Sequence, residues 1–171
     1  MNTFAPRILT PLAVPVIPPP PGEPGFSWLA GWGWRDFLEL GAVPTAPRTV
    51  RGVIRERLPR WGLGHLVEVV ELVASELVAN SVAATGNARW EGKIPPVRVW
   101  LLGSETRVAV PVWDGVPRRP VKQDASPSDE SGRGLQIVET LSERWGSYRP
   151  SHPFTGKITW ASIRQSNFTE G

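Results

Sequence analysis

The chain contains no cysteine, which excludes a disulfide framework, a thiolate metal site and a cysteine nucleophile. Histidine is almost as scarce. His65 and His152 stand alone, too few for a multi-histidine metal centre. No apolar run approaches the ~20 residues of a membrane-spanning helix, so a cytoplasmic protein without a membrane anchor is expected. An excess of charge is missing too. The 19 basic residues barely outnumber the 16 acidic ones, for a net charge of +3. That balance permits phosphate contacts without marking a polybasic nucleic-acid binder.

What is present suits one folded domain. The 171 residues are 40% hydrophobic, enough for a core and a ligand pocket. Proline is the uneven component. The stretch from Thr10 to Ile17 runs into four consecutive prolines, Pro18 to Pro21. Proline lacks an N–H and fixes φ, which rules out helix and sheet there. Arg7 is the only early charge and prolines interrupt the apolar stretch, so a signal peptide is not expected. Residues 1–26 are expected to form a flexible or polyproline II tail, residues 27–165 the domain, and 166–171 a short C-terminal tail.

Within the domain, Trp34 to Leu40 alternates as an amphipathic strand. Pro47 suits a helix start, and Val50, Val53, Ile54, Leu58 and Trp61 recur at helical spacing up to Gly62. A second helix is expected from Leu66 to Ala84. Val97–Leu102 and Thr106–Asp114 read as a hairpin, with Pro111 at an edge position or a bulge. A polar loop, Gly115 to Ser131, leads to a third helix. That helix begins near Gly132 or Gly134, turns Leu135, Val138, Leu141 and Trp145 inward, and stops at Gly146. Ser147–Arg149 and Gly156–Arg164 give a last strand pair. The order predicts an α/β (α+β) two-layer sandwich: a mostly antiparallel sheet with helices on one face.

Three places on this frame carry chemistry. Val69, Val73, Glu76 and Asn80 share one helical stripe. A buried carboxylate needs a metal, a donor or a wet pocket, and a carboxylate beside a carboxamide suits a hydrated Mg²⁺ and a base. A rotated helix would merely solvate Glu76. Next, the apolar strand ending Trp113-Asp114-Gly115 delivers one carboxylate to a strand end, where a base amine could donate to it. Last, Ser131-Gly132-Arg133-Gly134-Leu135 opens a helix. Free N–H groups at a helix N-terminus bind phosphate, and glycines let the backbone approach closely.

Together and in this order, the three resemble the ATP-binding domain of the gyrase, heat-shock chaperone, histidine kinase and MutL superfamily. The wording is closest to the single-domain serine kinases of the actinobacterial anti-sigma-factor type. It lies in Glu71-Leu72-Val73-Ala74-Ser75-Glu76-Leu77-Val78-Ala79-Asn80, in Trp113-Asp114-Gly115 and in Asp129-Glu130-Ser131-Gly132-Arg133-Gly134-Leu135. Arg144-Trp145-Gly146 and Gly156-Lys157-Ile158-Thr159-Trp160 fit as well. The resemblance implies that Asn80 ligates Mg²⁺, that Glu76 is the base, and that Asp114 and Gly115 meet adenine. Gly132, Arg133, Gly134 and Leu135 would hold the ATP phosphates, and the loop 115–131 would be a lid.

The implied partners are a sigma factor or an anti-anti-sigma-factor-like protein, with a homodimer allowed and no direct nucleic acid or membrane contact. Departures from the family pattern are Val116 and Pro117 after the aspartate box, Ala83 and Ala84 after the asparagine, and Lys157 where other branches carry a small or hydroxyl residue. Besides a protein serine/threonine kinase, a non-catalytic nucleotide-sensing module fits the same motifs. A nucleic-acid binder using the arginine-rich helix 48–60 lacks interleaved aromatics and ranks last.

Overall fold

Two faces of one sheet organise the molecule. A computed structural model describes residues 7–9, 14–21, 30–86, 92–118 and 133–165. The elements are β1 (Arg7–Leu9), β2 (Trp34–Gly41), α1 (Ala46–Arg60), a 3₁₀ turn (Gly64–Leu66), α2 (Val67–Gly86), β3 (Pro96–Gly103), β4 (Arg107–Asp114), α3 (Gly134–Leu141), β5 (Arg144–Tyr148) and β6 (Lys157–Arg164). The strands form one six-stranded sheet in the order β1-β2-β3-β4-β6-β5. Every neighbouring pair is antiparallel. The α+β architecture expected from the sequence is the one found.

The helices lie on one face. Helix α1 starts with a proline in its first turn and buries Val50, Val53, Ile54 and Leu58. It stops because Gly62 takes a left-handed φ of 73° and the Leu63 N–H returns to the Leu58 carbonyl, a closure that favours glycine. Helix α2 buries Val70, Val73, Ala74, Leu77 and Val78 completely. It packs between α1 and α3 and against β3, β4 and β6. Leu38 and Leu40 of β2, Val99 and Leu101 of β3, Val110 and Val112 of β4, and Ala161 and Ile163 of β6 complete this core.

The second face is aromatic. Phe37, Trp100, Leu102, Ala109 and Ile158 are buried there, with Trp32, Trp113, Tyr148 and Trp160 packed beside them. Residues 14–21 run across it, and Ile17 is 3% exposed. The expected free tail therefore does not describe this stretch. Trp100 Nε1 donates to the Pro15 carbonyl at 2.9 Å and the Tyr148 hydroxyl to the Pro18 carbonyl at 2.8 Å. Ser151 N–H and Oγ reach the Pro19 and Pro20 carbonyls. A proline-rich chain leaves its carbonyls unspent, and indole, phenol and hydroxyl donors take them up. Ahead of this stretch, residues 7–9 pair with β2, Ile8 opposite Leu38. A 460 Å³ cavity beside the segment is lined by Pro15, Phe37, Trp100, Trp113 and Phe154. It lies on the sheet face away from the helices.

Two local expectations change. Helix α3 ends at Leu141, and Trp145 lies on strand β5 instead of continuing the helix. The Glu143 N–H donates to the Ser162 carbonyl, which commits the chain to the ladder with β6. Pro111 sits on a central strand, not at an edge or in a bulge. Pairing with β6 continues through Pro111, opposite Trp160. Pairing with β3 lapses between Val99↔Val112 and Leu102↔Ala109, because the ring removes the N–H that would bond there.

Because Ile17 fills the aromatic face, Ile17→Ala is expected to lower unfolding free energy by about 2 kcal/mol, the low end for emptying a buried aliphatic site. Urea denaturation followed by tryptophan fluorescence measures it, and an unchanged midpoint would show that the segment adds nothing to the fold.

Candidate nucleotide site

The three chemical motifs meet on the helix face. Glu76 and Asn80 stand one turn apart on α2, both half-buried. Gly134, the first residue of α3, is buried against them. A Cβ on Gly134 would collide with Glu76 Oε2 and lie 3.7 Å from Asn80 Oδ1. The rotated arrangement of α2, with Glu76 merely solvated, is therefore not the one adopted. Asn80 Nδ2 is buried with no hydrogen-bond partner among the described residues. Buried amide donors are almost always satisfied, so this one marks a place for an acceptor.

Helix α3 presents its N-terminus to the same spot. Arg133 is the N-cap and makes no side-chain capping bond, and no acidic residue stands in the first turn. The first N–H groups of such a helix suit an anion. The Arg133 side chain is exposed, whereas Leu135 is 5% exposed and anchors the helix in the core. Leu135 is a core residue of α3 and does not face the Glu76–Asn80 pair as Gly134 does. Gly132 and residues 119–131, expected to supply a phosphate contact and the lid, lie outside the described residues.

Asp114 ends β4 and is fully buried. Its Oδ1 accepts the Val116 N–H at 3.0 Å and the Lys157 ammonium at 2.8 Å. Its Oδ2 is buried without a partner among the described residues. Gly115, half-buried, begins the turn that brings Val116 back to the carboxylate. Lys157 Nζ also donates to the Val116 carbonyl at 3.2 Å. The Asp114–Lys157 pair is possible because Gly156 precedes the lysine. Gly156 has a φ of 79°, and a Cβ there would collide with the Asp114 carbonyl oxygen. Trp113 Nε1 fixes the same turn by donating to the Thr155 carbonyl at 2.7 Å.

Sequence reading left Lys157 without a role. A signal for it exists in strand parity: residues 159, 161 and 163 of β6 turn to the helix face, and Lys157 shares their parity. A lysine on an inward position requires an acid, and Asp114 is its register partner.

The Glu76 carboxylate and the Asn80 carboxamide oxygen are hard donors of the kind Mg²⁺ takes. Mg²⁺ binds few protein groups and completes its shell with water and phosphate oxygens. No cluster of three or more His, Cys, Asp or Glu able to hold a metal occurs among the described residues, so these residues offer no all-protein cage. Among the described residues no helix is long and apolar enough to cross a membrane.

No curated protein matches the chain. A family model described as the histidine kinase-like ATPase domain matches residues 40–162. That span runs from the end of β2 into β6 and includes Glu76, Asn80, Asp114, Gly134 and Lys157. With most of its length and every described part of this site inside the match, the chain belongs to the histidine kinase-like ATPase domain family.

Proposed function

We propose that this protein binds ATP with Mg²⁺ and acts as a regulatory protein serine/threonine kinase of the anti-sigma-factor type. The observation that carries the reading is the seating of Gly134, at the α3 N-terminus, on the Glu76–Asn80 pair. Adenine would lie at the end of β4, where Asp114 Oδ2 has no hydrogen-bond partner among the described residues. The phosphates would lie at the first N–H groups of α3. Bound Mg²⁺ would neutralise phosphate charge, held by Asn80 Oδ1. Glu76 would accept the proton of an attacking serine hydroxyl. The serine oxygen bonds to the γ-phosphorus as the bond from that phosphorus to the β–γ bridging oxygen breaks, and ADP leaves. Such catalysis is mostly positioning and electrostatics.

The regulated partner would be a sigma factor or the antagonist protein that competes for it. Partner identity rests on the motif resemblance and is tested by transfer of label from γ-labelled ATP to a candidate serine-bearing partner. Ala83 and Ala84, where the resemblance leads one to expect a basic or aromatic residue, favour a second reading. In it the domain binds ATP and a partner without transferring phosphate. Label transfer to a partner excludes the second reading.

Three outcomes are expected of the site. Asp114→Asn weakens ATP binding by about 1–3 kcal/mol, the range for a hydrogen bond involving a charged group. It also erases the preference for ATP over GTP in calorimetric titration. Equal affinity of the parent for both nucleotides contradicts the adenine assignment.

Asn80→Ala lowers both binding and transfer, whereas Glu76→Gln keeps ATP affinity and lowers single-turnover transfer about 10²- to 10⁴-fold, the scale of a general base. Transfer at the parent rate in Glu76→Gln removes the base role.

Gly134→Ala displaces the Glu76 carboxylate, because the new methyl claims its position. The fold persists, since the far end of a glutamate can swing away. ATP affinity and transfer both fall in that variant. A melting temperature at the parent value together with parent-like ATP affinity would show that this close approach is not used.

A further inference from the structure

Lys157 is the charged residue among the helix-facing positions of β6, and its side chain is 4% exposed. An ammonium carries three N–H donors. Two are used, on Asp114 Oδ1 and on the Val116 carbonyl. The third has no partner among the described residues. Beside it, Asp114 Oδ2 is a buried acceptor that is also unfilled. The two residues are register partners on adjacent strands, so the spare donor and the spare acceptor sit side by side. Buried polar groups left open cost free energy in a native protein and call for a ligand that closes them.

The geometry points to Lys157 as a base-reading residue that donates to N1 of adenine while Asp114 Oδ2 accepts from the 6-amino group. This rests on the ATP-binding function proposed above and adds to it the residue that sets base specificity. One face of adenine offers a donor next to an acceptor, the complement of this pair. N1 is the more basic of the two ring nitrogens flanking the amino group, so an ammonium selects it over N7. Guanine in the same placement turns O6 to the carboxylate and N1–H to the ammonium, a mismatch at both contacts. Lys157 is also the opposite charge that pairs with the fully buried Asp114.

The test is calorimetric titration of the full chain, in Mg²⁺, with ATP, 1-deaza-ATP and 7-deaza-ATP. The expected result is a loss of about 10- to 100-fold in affinity for 1-deaza-ATP, the scale of one charge-assisted hydrogen bond. 7-Deaza-ATP binds as ATP does. In Lys157→Met, ATP falls toward the 1-deaza-ATP level and the two nucleotides become equal. If that variant does not fold, the comparison on the parent protein decides alone. Equal binding of ATP and 1-deaza-ATP by the parent overturns the role of Lys157 and leaves the ATP reading intact. A penalty on 7-deaza-ATP in place of 1-deaza-ATP overturns the N1 assignment. No binding of ATP at all removes the nucleotide function itself, and this inference with it.

Discussion

A sheet whose two faces are both apolar must be covered twice, and the helices among the described residues cover one side only. Everything else follows from how that is met. On one side α1, α2 and α3 bury aliphatic residues of β2, β3, β4 and β6. On the other, tryptophans and a proline-rich segment take the place of a second helical layer. Proline suits that task because it brings apolar rings without N–H groups that would need partners. Its carbonyls still need donors; the sheet supplies an indole and a phenol, and Ser151 in the β5–β6 connection supplies a serine.

The ligand face inherits its precision from the same packing. Helix α2 is apolar enough to be pinned by neighbours on several sides. Its rotation is therefore fixed, and with it the direction of Glu76 and Asn80. Asp114 and Lys157 are placed by strand register, the tightest positional constraint in a sheet. Two of the groups that would meet a ligand thus sit on sheet strands and two on a buried helix, which favours a preorganised site. Gly134 and Gly156 matter for the opposite reason. Each is a position where a side chain would occupy space that a carboxylate or a carbonyl already holds.

Much of this was legible in the sequence. Apolar runs bounded by turn residues located β2, the β3–β4 hairpin and β6, and helical spacing located α1 and α2, because these segments are committed to the core. The motifs around Glu76, Asp114 and Gly134 were readable as chemistry because polar groups interrupt those apolar patterns. What was not legible depends on long-range partners. Trp145 continues the apolar spacing of α3, yet the backbone pairing between β5 and β6 claims it. Pro111 reads as an edge residue, but its flanking valines and Trp113 bury β4 at the centre, and the ladder gives way instead. Strand parity turns Lys157 inward, and the proline run excludes helix and strand, but neither pattern names a partner. One is explained only by Asp114 across the sheet, the other only by aromatic residues far along the chain.

The distance along the chain has a consequence for biosynthesis. Pro15 waits for Trp100, 85 residues later, and Pro18 for Tyr148, 130 residues later. Contacts of such high sequence separation form late, since the loop must close before anything rewards it. A chain leaving the ribosome N-terminus first therefore emits its proline-rich segment long before the surface that receives it exists. The helices and the β3–β4 hairpin can assemble meanwhile. Strand β6 must arrive before the aromatic face is whole. The proline-rich segment is thus made well before the residues that hold it and is among the last to find its place, and until then the tryptophan-rich side of the sheet stands open to whatever else is in the cell.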